Sequence, residues 1–138
     1  MGKIKHFKHS YEELAKVGRK YYNDTNFCTV IGLAVACDLS FGKARALAKR
    51  KVGRRDRRGL NLLEIIALYK MMGKNLVPVP NVYGKTLATV SRNVPINGRY
   101  MFLTRTHCAV SRDGILEDWS ADGDSRKRID TVYKIEDI

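Results

Sequence analysis

Cys28, His107 and Asp118 stand in the chain in the order, and with the neighbours, that thiol-based acyl transfer requires. The attacking species in that chemistry is the thiolate. A thiol in the first turn of a helix is acidified by unsatisfied backbone amides and by the helix macrodipole. Cys28 falls in such a place: Asn23-Asp24-Thr25-Asn26 is a cluster of cap and turn formers, and Phe27 to Ala36 behind it carries almost no polar side chain. An imidazole beside the thiol takes its proton and returns it to the leaving amine, while a carboxylate fixes the imidazole tautomer and stabilises its cation. His107 and Asp118 are the candidates for these two tasks.

For the three to meet, a buried helix has to carry the Cys and a hairpin the His and Asp. Tyr100 to Thr104 is rich in strand formers, His107 to Ser111 follows, Arg112-Asp113-Gly114 is a turn, and Ile115 to Trp119 pairs back. With a two- or four-residue turn around Asp113-Gly114, Ala109 falls opposite Asp118 and His107 opposite Ser120. Alternation then puts His107, Ala109 and Asp118 on one face, whereas a three-residue turn would send Asp118 to the other. Cys108 points away from that face and, with Cys37, is expected to be structural.

The remaining elements complete an α+β expectation. Ser10 with Glu13 is a capping-box pair ahead of Tyr11, Leu14, Ala15 and Gly18, so residues 1–22 read as a basic arm or a short helix. Ser40 opens a helix with Phe41, Ala44, Leu47 and Ala48 on its core face, and Asn61 with Glu64 caps another that ends at Gly73. Beyond Gly73, residues 75–79 are an apolar run broken by prolines, 86–92 could form one more short helix, and Thr131 to Ile135 a last strand. Residues 1–138 read as a single domain, helical first and antiparallel after.

Composition bounds the function. At 138 residues and 15.7 kDa there is room for one core, and 44% hydrophobic residues with three prolines exclude a disordered or collagen-like chain. No apolar run approaches the ~20 residues of a membrane helix. The basic start, Met-Gly-Lys-Ile-Lys-His-Phe-Lys-His, lacks the apolar stretch of a secretory signal, so a cytoplasmic protein is expected. Cys28, Cys37 and Cys108 are scattered with no CxxC, which argues for thiols and against a disulfide framework. No Cys or His pair has finger spacing, so no metal is expected, and thiol chemistry needs no cofactor.

The charge is concentrated. Lys and Arg number 26 against 14 Asp and Glu, a net +12, and nine of the cations lie between Lys43 and Arg58 with a single acid. Lys43, Arg45, Lys49 and Arg50 spread over one helix face, and Arg54, Arg55, Arg57 and Arg58 fill a loop bracketed by Gly53 and Gly59. Such a field draws in polyanions, and nucleic acid, an anionic membrane surface or an acidic protein all fit as partner. Guanidinium forks suit phosphate, but the aromatic interleaving of a single-strand stacking platform is missing. A second reading is therefore a non-enzymatic basic binding module.

Asn-Phe-Cys-Thr-Val-Ile-Gly-Leu-Ala at a helix start, followed by Tyr-Met-Phe-Leu-Thr-Arg-Thr-His-Cys-Ala-Val and Asp-Gly-Ile-Leu-Glu-Asp-Trp, resembles the papain-like cysteine peptidase superfamily. The likeness covers roughly residues 22–120 and is closest to small members, including short phage-encoded proteins. It implies a central Cys-bearing helix packed on a C-terminal antiparallel sheet, with Cys28 as nucleophile, His107 as base and Asp118 as orienting residue. It also implies a protein or peptide substrate cut at a peptide or isopeptide bond and, for a phage-encoded chain, work in the host cytoplasm. Members of that superfamily place a Gln shortly before the Cys to receive the oxyanion. This chain contains no Gln, which leaves Asn23 or Asn26 for the task.

Overall fold

A computed structural model of the chain describes residues 5–7, 9–25, 27–86, 89–90, 97–104, 108–113, 115–117 and 128–138. Among them the elements run β1 (Lys5–Phe7), α1 (His9–Tyr22), α2 (Cys28–Cys37), α3 (Phe41–Val52), α4 (Leu62–Met71), β2 (Lys74–Pro78), β3 (Arg99–Leu103), β4 (Cys108–Arg112), β5 (Ile115–Glu117) and β6 (Thr131–Asp137). The architecture is α+β. The strands form one sheet in the order β1-β5-β4-β3-β6-β2, antiparallel throughout except that β1 lies parallel to β5.

Local sequence explains most of the boundaries. The Ser40 side chain accepts from the Lys43 amide at 3.2 Å to open α3. Asn61 and Glu64 exchange side-chain-to-amide bonds of 2.9 Å each, a complete capping box for α4. Gly53 ends α3 in the left-handed conformation that a residue with no Cβ adopts freely. The β4–β5 hairpin pairs Arg112 with Ile115 across a two-residue turn, and Asp113 has φ +50, as the first position of such a turn requires.

Strand alternation divides the interior in two. On one side of the sheet Met101, Cys108, Val110 and Ile135 meet α1, α2, α3 and α4; on the other Tyr100, Phe102, Ala109 and Val132 pack with Val90 and Ile129. Residues 29–36 of α2 are all buried, as expected of a helix packed on every face. Gly18 of α1 lets that helix close on Phe27 and Phe41, since a Cβ there would stand 2.7 Å from the Phe41 ring.

Two expectations change at the N-terminus, and one undefined segment gains an element. Of the two readings of the N-terminal segment, the helix holds and the arm does not: α1 runs from His9 to Tyr22 with Ala15 1% exposed, and residues 5–7 add a strand the sequence did not announce. Ser10 is not the cap, because α1 already begins at His9. The proline-broken run, to which the sequence assigned no element, contains β2, an edge strand whose last residue is Pro78; an edge tolerates a residue that cannot donate to the ladder. Of the short helix expected at 86–92, Thr89 and Val90 are helical and most of the rest lies outside the described residues. Among the described residues no helix is long and apolar enough to cross a membrane.

Candidate active site and its basic flank

Cys28 is the first residue of α2 and is half-buried. The N-cap residue, Phe27, makes no side-chain cap, and the first turn of α2 holds no acidic residue. One turn on, Gly32 lies against β4: a Cβ at that position would stand 3.2 Å from Val110 Cγ2 and 3.4 Å from Cys108 Sγ. At the far end of α2, Arg112 of β4 donates to Asp38 at 3.0 Å. Contacts thus advance along both elements together, and α2 and β4 run in the same direction. Cys28, about 6 Å up the axis from Gly32, is therefore at the end where the chain enters β4.

His107 immediately precedes β4 and lies outside the described residues, as do Asp118 and Asn26. The hairpin that flanks them has the expected register: Val110 pairs with Glu117, Ser111 with Leu116 and Arg112 with Ile115. Within β4, Cys108 and Val110 face α2, while Ala109 and Ser111 face away from it. Strict alternation carried one residue further would turn position 107 away from Cys28. A triad requires that position to depart from this alternation.

The far end of α2 is anchored by charge. Arg99 donates to the Val35 carbonyl at 3.3 Å, to the Ala36 carbonyl and to Asp38 at 2.8 Å, which meets the helix C-terminus with a cation. The Arg99 hydrogen bond holds the Asp38 carboxyl below its ordinary value. Burial pushes the Cys37 thiol up, against the nearby Lys74 and Arg99. Tyr69, wholly buried, has a hydroxyl with no partner among the described residues and is pushed up by burial, with the Cys108 and Cys37 thiols nearby.

Upstream of Cys28 the structure holds a pair that sequence reasoning missed. The Asp24 side chain is wholly buried and accepts from Arg54 Nη1 at 2.7 Å, Arg54 Nη2 at 3.0 Å, the Arg57 amide at 2.6 Å and the Thr25 amide at 2.9 Å. Burial alone would raise this carboxyl, but the bonds from Arg54 and Arg57 outweigh it and its pKa lies below the ordinary value. In sequence Asp24 is one cap former among four, and nothing local marks its partner. Asn23, the expected oxyanion donor, is exposed at the end of α1 with φ +50.

The basic surface is accordingly smaller than the sequence suggested. Arg54 does not belong to it, because its guanidinium is fully buried on Asp24. Arg45 makes a bidentate pair with Asp56 at 3.0 and 2.8 Å and stacks 4.7 Å over Tyr22, and Lys49 joins Asp56 at 3.1 Å. The Arg45 hydrogen bond, aided by Lys49, lowers Asp56 to about 2. Lys43, Arg50, Arg55, Arg57 and Arg58 are exposed.

Among the described residues no group of three His, Cys, Asp or Glu side chains could hold a metal ion. Comparison with known proteins finds no match: no family model, no curated protein and no solved structure aligns with this chain.

Proposed function

We propose that this chain is a thiol hydrolase of papain-like type that cleaves a peptide or isopeptide bond. The observation that supports it is the co-directional packing of α2 on β4, which sets the Cys28 end of the helix toward the Cys108 end of the strand. Cys28 Sγ, its proton taken by His107, attacks the carbonyl carbon. The C–N bond then breaks, the proton passes to the leaving amine, and a thioester remains on Cys28. Water, deprotonated by His107, cleaves the thioester and restores the thiol; an amine in place of water gives acyl transfer with the same residues. Asp118 orients His107, and the Cys28 amide with Asn23 or Asn26 receives the oxyanion. A thiolate nucleophile works in a reducing compartment, consistent with a cytoplasmic site.

Alkylation of Cys28 by iodoacetamide as a function of pH tests the reading, with Cys37, whose thiol is pushed up by burial, as internal reference. The expected result is a Cys28 rate that persists well below the ordinary thiol pKa of about 8.5 and loses that persistence in His107→Ala. A Cys28 profile that follows the Cys37 profile, in both proteins, overturns it.

A further inference from the structure

Three solvent-facing cations, Arg55, Arg57 and Arg58, sit on one loop, and that loop is fixed to the chain segment leading into Cys28. Arg54 Nε donates to the Arg58 carbonyl at 2.8 Å, the Arg57 amide reaches Asp24, and the Arg58 amide closes a turn on the Arg55 carbonyl at 3.2 Å. These bonds fix the backbone and leave the Arg55, Arg57 and Arg58 side chains outside. None of the three has an acidic partner among the described residues. Asp24 is four residues from Cys28, so even a fully extended chain separates the anchor from the nucleophile by no more than about 14 Å.

The neighbours of these cations decide what kind of anion fits. Directly after the loop, Leu62 and Leu63 open α4 with 41% and 79% of their surface exposed. A cavity of about 250 Å³ beside them is lined by Arg55, Arg58, Leu60 and Glu64, whose carboxylate accepts from the Asn61 amide. A single nucleic-acid strand binds chiefly by stacking its bases on aromatic rings, and residues 53–63 contain none. A polypeptide that carries both carboxylates and apolar side chains satisfies Arg55, Arg57 and Arg58 together with Leu62 and Leu63.

We propose that Arg55, Arg57, Arg58, Leu62 and Leu63 form a recruitment surface for an acidic polypeptide segment with interspersed apolar side chains, and that this segment belongs to the substrate processed at Cys28. The second half of the statement rests on the thiol-hydrolase reading; the first does not. Held through Asp24, the surface positions a bound segment a few residues away from the bond presented to the thiol.

Fluorescence anisotropy at 0.15 M salt with a labelled peptide of Asp, Glu and Leu tests it, using Cys28→Ala so that the probe is not consumed. The combination Arg55→Glu, Arg57→Gly and Arg58→Glu should weaken binding by about tenfold or more. Glycine at 57 keeps the amide that serves Asp24 and suits the φ of +66 there, so the fold is preserved. Leu62→Ser with Leu63→Ser should weaken the peptide severalfold while leaving a labelled oligothymidine unaffected. Unchanged peptide affinity in the charge variant overturns the proposal. So does an oligothymidine that binds more tightly than the peptide and ignores the leucines, which would make this a nucleic-acid surface. Failure of the hydrolase reading shows separately, as an inert Cys28 in the alkylation profile with peptide binding intact.

Discussion

Arg54 and Asp24, thirty positions apart, form a two-pronged ion pair with both side chains wholly withdrawn from water. Breaking such a pair from one side leaves an uncompensated buried charge, at a cost of about 3–5 kcal/mol, whereas replacing both partners with apolar groups is often close to neutral. Asp24→Asn is therefore expected to destabilise the fold by roughly that amount, and Asp24→Leu with Arg54→Met to recover much of the loss. Urea unfolding of the two variants measures this. An Asp24→Asn midpoint close to wild type would mean that the backbone bonds, not the pair, hold the loop.

The same pair gives stability a defined acid dependence. The folded-state pKa of Asp24 lies below the unfolded value of about 3.9, so its contribution is fully present above that value and is lost as pH falls through the folded one. Asp56, lowered to about 2 chiefly by its hydrogen bond from Arg45, acts with the same sign between about pH 4 and 2, discounted because its side chain is 27% exposed. Urea midpoints measured from pH 6 down to 2 should fall steeply in wild type and less steeply in Asp24→Asn. Parallel slopes would contradict the assignment.

Where the determinants are local, the sequence was legible. Asp113 and the glycine after it fix the hairpin register, Asn61 and Glu64 fix the start of α4, and an apolar run behind a cap cluster fixes α2. Contacts between distant residues were not legible. Nothing near Arg54 tells whether its guanidinium faces solvent or a carboxylate thirty positions back, and a basic loop reads as uniformly exposed. Residues 5–7 become a strand only by lying parallel to β5. β2 was obscured by Pro78, which an edge position tolerates. For the candidate site, the position of Cys28 on its helix was readable, but the face of β4 turned toward that helix was not.

Gly32 sets how closely α2 lies on β4. A methyl there gains helix propensity of about 1 kcal/mol but presses on Val110 and Cys108, and a branched side chain exceeds the space outright. Gly32→Val is expected to cost about 2–3 kcal/mol in thermal unfolding and, by lifting the helix from the strand, to slow Cys28 alkylation at pH 6 more than at pH 9. A variant of wild-type stability would show that the helix can shift without loss.

Asn23 combines two properties that substitution can separate. Its φ of +50 is a conformation that Asn tolerates and Gly prefers, and its exposed side-chain amide is the expected oxyanion donor, with Asn26 as the other candidate. Asn23→Gly keeps the backbone and removes the amide. If the side chain stabilises the oxyanion, burst hydrolysis of p-nitrophenyl acetate by Asn23→Gly should fall by about 10²-fold with the unfolding midpoint unchanged. Asn23→Ala should lose the same activity and also about 1 kcal/mol of stability, because the left-handed conformation is strained for a residue with a Cβ. An Asn23→Gly protein with full burst rate, beside an Asn26→Ala protein without it, would transfer the oxyanion role to Asn26 and leave Asn23 as the residue that turns the chain out of α1.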